Sequence, residues 1–214
     1  EQARPNILWL SCEDISPHLA CFGDPHAITP HLDQLANEGV RYTHAFTAAG
    51  VCAPCRSTII TGMYQNSIGT HHMRCNARLP DWLRPFPMYL RDAGYYCTNN
   101  SKTDYNTSSF DLKTMWDESS RQAHYKNRAS GQPFFAIFNI TTSHESSIHR
   151  SIPGEDLRHN PEDVNLPPYH PDTPEMHHDW AQYYDKLTEM DRQIGEKLKD
   201  LESQGLMDNT IVIY

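Results

Sequence analysis

Five short apolar runs interrupt a largely polar chain, and helix-patterned segments lie between them. The first, in ARPNILWLS (residues 3–11), begins after Pro5 and predicts a buried strand, with the acidic pair Glu13-Asp14 directly beyond it. ITPHLDQLANEG (28–39) predicts a helix with Thr29 as N-cap, Pro30 in the first turn, Leu32 and Leu35 on the apolar face and Gly39 as the stop. VRYTHAFT (40–47) has strand character. A helix is then expected from Pro54 through Ile59 and Ile60 to Gly62. FPMYLRDAGYYCTNNSK (86–102) reads as helix, glycine stop and strand. QPFFAIFNITTSH (132–144) is the most apolar strand of the chain and ends on a polar, histidine-bearing tip. Residues 145–174 are rich in proline and histidine and read as irregular. From 175 to 203, Trp180, Tyr183, Tyr184, Leu187, Met190, Ile194 and Leu198 recur at helical spacing and predict a long helix. DNTIVIY (208–214) starts a final strand.

Strands alternating with helices predict an α/β fold built on a doubly wound, mostly parallel sheet. Functional residues then belong beyond the carboxyl ends of the strands. A last strand with no loop after it makes residues 1–214 read as the larger, N-terminal part of a catalytic domain whose C-terminal part is absent.

Composition narrows the partners. The net charge of −9 over 214 residues argues against a nucleic-acid ligand. No apolar run is long enough for a membrane span. The start, EQARPN, has no signal-peptide pattern and is compatible with a mature N-terminus. From His71 to Arg91, however, Arg74, Arg78, Arg84 and Arg91 join His71 and His72 against Asp81 and the adjoining Asp92. Such a local basic region suits a small anionic substrate; a solvated surface is the alternative. His149, His170, His177 and His178 lack metal spacing and read as surface or substrate-loop residues. Asn99, Asn106 and Asn139 stand in Asn-x-Ser/Thr sequons, and no glycosylation is assigned because Asn139 lies in a predicted buried strand.

Six irregularly spaced cysteines (12, 21, 52, 55, 75 and 97) are too few for a disulfide scaffold, and without a second Cys-x-x-Cys a structural zinc site is not expected. The segment VCAPCRSTIITG admits two chemistries. Cys52 and Cys55 before a helix satisfy the placement of a thiol–disulfide oxidoreductase, where the helix dipole activates a thiol. That reading leaves Glu13-Asp14 and Arg56 without a purpose. A purely structural role for the two cysteines is a third option.

Read as Cys52-x-Pro54-x-Arg56 followed by Thr61-Gly62, the segment resembles the signature of the formylglycine-dependent sulfatases of the alkaline-phosphatase-like superfamily. Three further blocks occur in the family's order: Glu13-Asp14 after the first strand, Gly94-Tyr95 with Lys102, and the strand ending in His144. The resemblance implies that Cys52 is oxidised to formylglycine by a maturating enzyme. The hydrated aldehyde would attack sulfur, and its second hydroxyl would expel sulfate. It implies a calcium ion with Glu13, Asp14 and residue 52 as ligands, further ligands lying beyond Tyr214. Arg56 would hold the nucleophile, Lys102 would bind sulfate oxygens, and His144 would contact sulfate and protonate the leaving oxygen. Two departures stand out. Glu13 replaces an aspartate, and Asp104 stands where the family often has a histidine that assists sulfate release, so Asp104 is the candidate base. His71, His72 and Arg74 are candidate substrate contacts. The implied substrates are sulfate esters or sulfamates, with sulfated carbohydrates favoured, and the implied location is periplasmic or secreted. A phosphonate or phosphate monoester hydrolase of the same superfamily, the oxidoreductase and a non-catalytic binding module are the competing readings.

Overall fold

The computed structural model describes residues 4–214, which divide into two units: residues up to 11, 44–139 and 206–214 form one, and residues 12–43 and 140–205 the other. The strands are β1 (Asn6–Ser11), β2 (Tyr96–Asn100), β3 (Glu118–Ser119), β4 (Phe134–Asn139) and β5 (Thr210–Ile213). The helices are α1 (Pro30–Glu38), α2 (Cys52–Thr61), α3 (Gln65–Ile68), α4 (Phe86–Asp92), α5 (Leu112–Met115) and α6 (Pro174–Ser203).

All five strands belong to the first unit and form one parallel sheet in the order β3-β2-β4-β1-β5. Phe134 to Phe138 of β4 are all buried, the continuous apolar run that an interior parallel strand requires. β1 pairs with β4 so that Leu8 faces Ala136 and Leu10 faces Phe138 in register, and both leucines are fully buried. The core of this unit gathers Ile60 of α2, Cys97 of β2, Tyr105, Met115, Trp116, Phe135 and Ile137, with Trp9 and Phe86 packed against it. Burial pushes the Cys97 thiol up to about 12, which makes it an inert core residue. Because the strands are parallel, Ser11, Asn100, Ser119 and Asn139 all end at one edge of the sheet.

The second unit is built on α6, whose Ala181, Tyr184, Leu187, Met190, Ile194 and Leu201 form a buried stripe at helical spacing. Polar residues of α6 order the segment predicted to be irregular. Gln182 accepts from Ile152 N and donates to Arg150 O, at 3.0 and 2.7 Å. Asp185 accepts from Arg158 N, His159 N and the His159 ring. His177 and His178 face the carbonyls of Pro161 and Ile152, so they too hold backbone. The segment contains three short 3-10 turns, at Glu145–Ile148, Gly154–Asp156 and Pro161–Asp163.

Three expectations are corrected. Residues 40–47 form no strand: Val40, Tyr42 and Phe46 are 81, 75 and 89% exposed, and strand propensity without a pairing partner has nothing to stabilise it. Helix α2 begins at Cys52, two residues before Pro54, and stops at Gly62 in left-handed backbone (φ 68°). Thr29 occupies the N-cap of α1 without capping it. Its hydroxyl accepts from Ala20 N, and the first turn of α1 is capped by Asp191 of α6, which accepts from His31 N at 3.1 Å and Leu32 N at 2.8 Å. Gly39 does end α1, but in extended backbone. Asp191 is only 1% exposed. Asp191→Ala is expected to destabilise the protein by about 2 kcal/mol by orphaning one buried and one partly buried amide, read as a melting temperature lower by roughly 4–8 °C. Asp191→Asn, which keeps an acceptor, should lose less; equal melting temperatures for wild type and Asp191→Ala would remove the cap from the account.

Candidate active site

In the sheet unit, the approach to Cys52 is tied at both ends of α2. Gln65 donates to Ala48 O at 2.8 Å and accepts from Thr58 Oγ1 at 2.7 Å, which fixes the strand-like entry against the helix exit. Thr61 Oγ1 folds back onto Ser57 O and accepts from Met63 N, so the Thr61-Gly62 pair works as a helix stop. At the other end, the first intrahelical bond runs from Cys55 N to Val51 O. The amides of Cys52 and Ala53 therefore have no acceptor within the helix, and Pro54 has no N–H to satisfy. Cys52 is half-buried, and the Cys55 thiol lies 3.1 Å from Thr47 Oγ1.

Arg56 leaves α2 one turn after Cys52 and is committed on three sides. Its Nε donates to Thr103 O (2.8 Å), Nη2 to Lys102 O (2.6 Å) and Nη1 to Asn139 Oδ1 (3.0 Å). Its guanidinium also sits 5.9 Å from the centre of the buried Tyr105 ring. Lys102 follows β2 by two residues, and its main chain is thereby pinned to α2. Asp104 adopts left-handed backbone (φ 49°), and its carboxylate lies 3.7 Å from Arg74 Nη2. Arg74, Asn76 and Asn106 share that unusual backbone. Together with Thr103 and Tyr105 they line one polar cleft of about 340 Å³. His71 and His72 are exposed, with ring centres 4.2 Å apart.

The second unit brings together Glu13, Asp14 and His144. Their ligand atoms lie within 4.8 Å of one another, the one such group of three or more among the described residues. Cys52 belongs to the other unit. Two loops lock reciprocally to build it: Glu13 N donates to Ser143 Oγ and Ser143 Oγ donates to Glu13 O, while Asp14 Oδ2 accepts from Glu145 N. His144 Nε2 stands 3.8 Å from both Glu13 Oε2 and Asp14 Oδ2. Its Nδ1 accepts from Ser146 N, which places the proton of the neutral ring on Nε2, facing the carboxylates. The donor set fits a hard cation through its carboxylate oxygens. His144 is better suited as a proton donor than as a ligand in this tautomer.

The sheet and its surroundings match solved structures of the alkaline-phosphatase-like fold. A phosphonate monoester hydrolase of Agrobacterium radiobacter superposes with a TM-score of 0.74 at 16% identity, over 98% of this chain and 61% of that one. A 2-O GAG sulfatase superposes with a TM-score of 0.71 at 17% identity, over 98% and 57%. The sulfatase family model matches residues 5–214, and the chain belongs to that family. Among curated relatives, an ulvan-active sulfatase of Formosa agariphila is 40% identical over 99% of this chain and 43% of its own length. Human N-sulphoglucosamine sulphohydrolase is 25% identical over the whole chain and 50% of its own. The chain thus spans about half the length of the curated relatives it matches. No helix among the described residues is long and apolar enough to cross a membrane.

Sequence reasoning gives the half-buried Asn139 and the fully buried Asn99 no functional role beyond their sequons, although a polar residue closing the apolar strand β4 is itself a signal.

Proposed function

We propose that this chain is the N-terminal part of a sulfatase that hydrolyses sulfate esters or sulfamates of carbohydrates. The observation that carries this reading is Cys52 as the first residue of α2 within Cys-x-Pro-x-Arg, with Arg56 bonded to the Lys102 segment, in a member of the sulfatase family. The carbohydrate class is supported by the names of the ulvan-active and N-sulphoglucosamine relatives.

Residue 52 would carry formylglycine, whose hydrate supplies a nucleophilic oxygen and a second hydroxyl through which sulfate leaves. The amides at the start of α2 favour negative charge at that end of the helix. Lys102 is assigned to sulfate oxygens, with its backbone held by Arg56. In the second unit, Glu13 and Asp14 would supply oxygen ligands to a calcium ion, whose chemistry is charge neutralisation of an anionic substrate. His144 presents Nε2–H and is assigned to protonate the leaving oxygen. Asp104 is assigned as proton acceptor in sulfate release, and His71, His72 and Arg74 as substrate contacts. The maturating enzyme that makes formylglycine is the required partner, and a periplasmic or secreted location fits the reading.

The mass of the peptide containing residue 52, from protein made in its native source, tests the core of the proposal. Conversion lowers it by about 18 Da relative to cysteine. An unmodified Cys52 there would overturn the formylglycine assignment. Competing assays on aryl sulfate and aryl phosphate test the reaction, and a large preference for phosphate would favour the phosphate or phosphonate monoester hydrolase.

A further inference from the structure

A chain of side-chain hydrogen bonds crosses four adjacent strands at the carboxyl edge of the sheet. Ser11 of β1 donates to Asn139 Oδ1 (3.0 Å), Asn139 Nδ2 donates to Asn99 Oδ1 on β2 (2.9 Å), and Asn99 Nδ2 donates to Ser119 Oγ on β3 (3.0 Å). Asn99 is wholly buried. At the centre, Asn139 fills both acceptor positions and both donor positions of its amide. Oδ1 also accepts from Arg56 Nη1, and Nδ2 also donates to Asn100 O at 3.3 Å. The orientation is self-consistent. A guanidinium only donates, so it must face the oxygen; a backbone carbonyl only accepts, so it must face the nitrogen. Turning the amide over would oppose like groups on both sides.

Arg56 has two further bonds, both to the main chain at Lys102 and Thr103. Asn139 therefore reaches the Lys102 segment through a single intermediary. From this geometry we propose that Asn139 is a positioning residue: it sets the plane of the Arg56 guanidinium, which in turn holds the Lys102–Thr103 backbone and so the point from which the Lys102 side chain extends. In this arrangement Arg56 serves as a bracket as much as a partner of the nucleophile. The importance of this bracket for turnover rests on the sulfatase reading; the bracket itself does not.

The test uses the full-length, matured protein and two variants, Asn139→Ala and Asn139→Asp. Alanine removes the acceptor facing Arg56. Aspartate keeps it, and the Asn99 amide can turn over to donate to the new carboxylate because the Ser119 hydroxyl both gives and takes hydrogen bonds. Its second oxygen loses the 3.3 Å bond to Asn100 O, which alanine loses too, so the comparison isolates the acceptor facing Arg56. Asn139→Ala is expected to lower kcat on a sulfated oligosaccharide by about 10- to 100-fold, with KM changed less than about threefold, the signature of lost orientation. Amide exchange should accelerate in the peptide covering residues 101–105 and stay unchanged in α6. Asn139→Asp should recover kcat to within about fivefold of wild type and restore slow exchange. The proposal is overturned if Asn139→Ala keeps both kcat and exchange, if exchange rises uniformly across the protein, or if aspartate is as damaging as alanine. Should wild type hydrolyse no sulfate ester, the sulfatase reading fails and the exchange measurements alone decide the bracket.

Discussion

On the proposed reading, Cys52→Ala is expected to abolish sulfate-ester hydrolysis by the full-length protein, lowering kcat/KM by about four orders of magnitude or more, as loss of a nucleophile does. Cys55→Ala is expected to retain activity to within about threefold, because that thiol pairs with the Thr47 hydroxyl and belongs to no proposed step. The pair of variants separates the two chemistries that VCAPCRSTIITG admits. An oxidoreductase needs both sulfurs of Cys-x-x-Cys, one to attack and one to resolve the mixed disulfide. A sulfatase needs only residue 52. Equal losses at the two positions, measured on a sulfated oligosaccharide and normalised to folded protein by circular dichroism, would contradict the assignment of Cys52 as the sole reactive position.

The second large effect belongs to the acidic pair. Removing divalent ions with EGTA is expected to stop turnover, and calcium chloride should restore it. Asp14→Ala should cost about a thousandfold in kcat and resist rescue by calcium. Calcium binding has a readout independent of catalysis. A ligand of the folded state at about a hundred times its Kd stabilises by about 2.7 kcal/mol, so calcium should raise the melting temperature of wild type and leave that of Asp14→Ala unmoved. Activity and melting temperature both indifferent to EGTA would remove calcium from the account. The geometry also separates His144 from the ligands. With Ser146 N donating to Nδ1, the ring offers Nε2–H to its surroundings, so His144→Ala should spare calcium binding while lowering turnover.

The elements that were legible in the chain are those whose evidence is periodic and local. The unbroken buried run Phe134–Phe138 needed no context to be read as a strand, nor did the stripe of α6 or the Thr61-Gly62 stop of α2. The motifs around Cys52, Lys102 and His144 were legible for a different reason, since they match a family pattern in order along the chain. Strand β3 was not legible, because it is two residues long and exists only where β2 offers it an edge. The 40–47 segment failed in the opposite sense: its residues favour strands, and among the described residues no partner strand meets them.

The sequence by itself determined which segments are apolar enough to bury, where the helices stop, and which cysteine stands in the family signature. Only the tertiary structure decided which polar groups meet. Asp191 caps a helix start 160 residues earlier in place of the adjacent Thr29, Arg56 finds Asn139 across 83 positions, and Glu13 and Asp14 come to face His144 about 130 positions on. The reason is physical. Apolar burial is non-directional and depends on composition and period, whereas a hydrogen bond requires its two atoms within about 3 Å and in line. That condition is set by strand register and loop closure, which no local pattern contains.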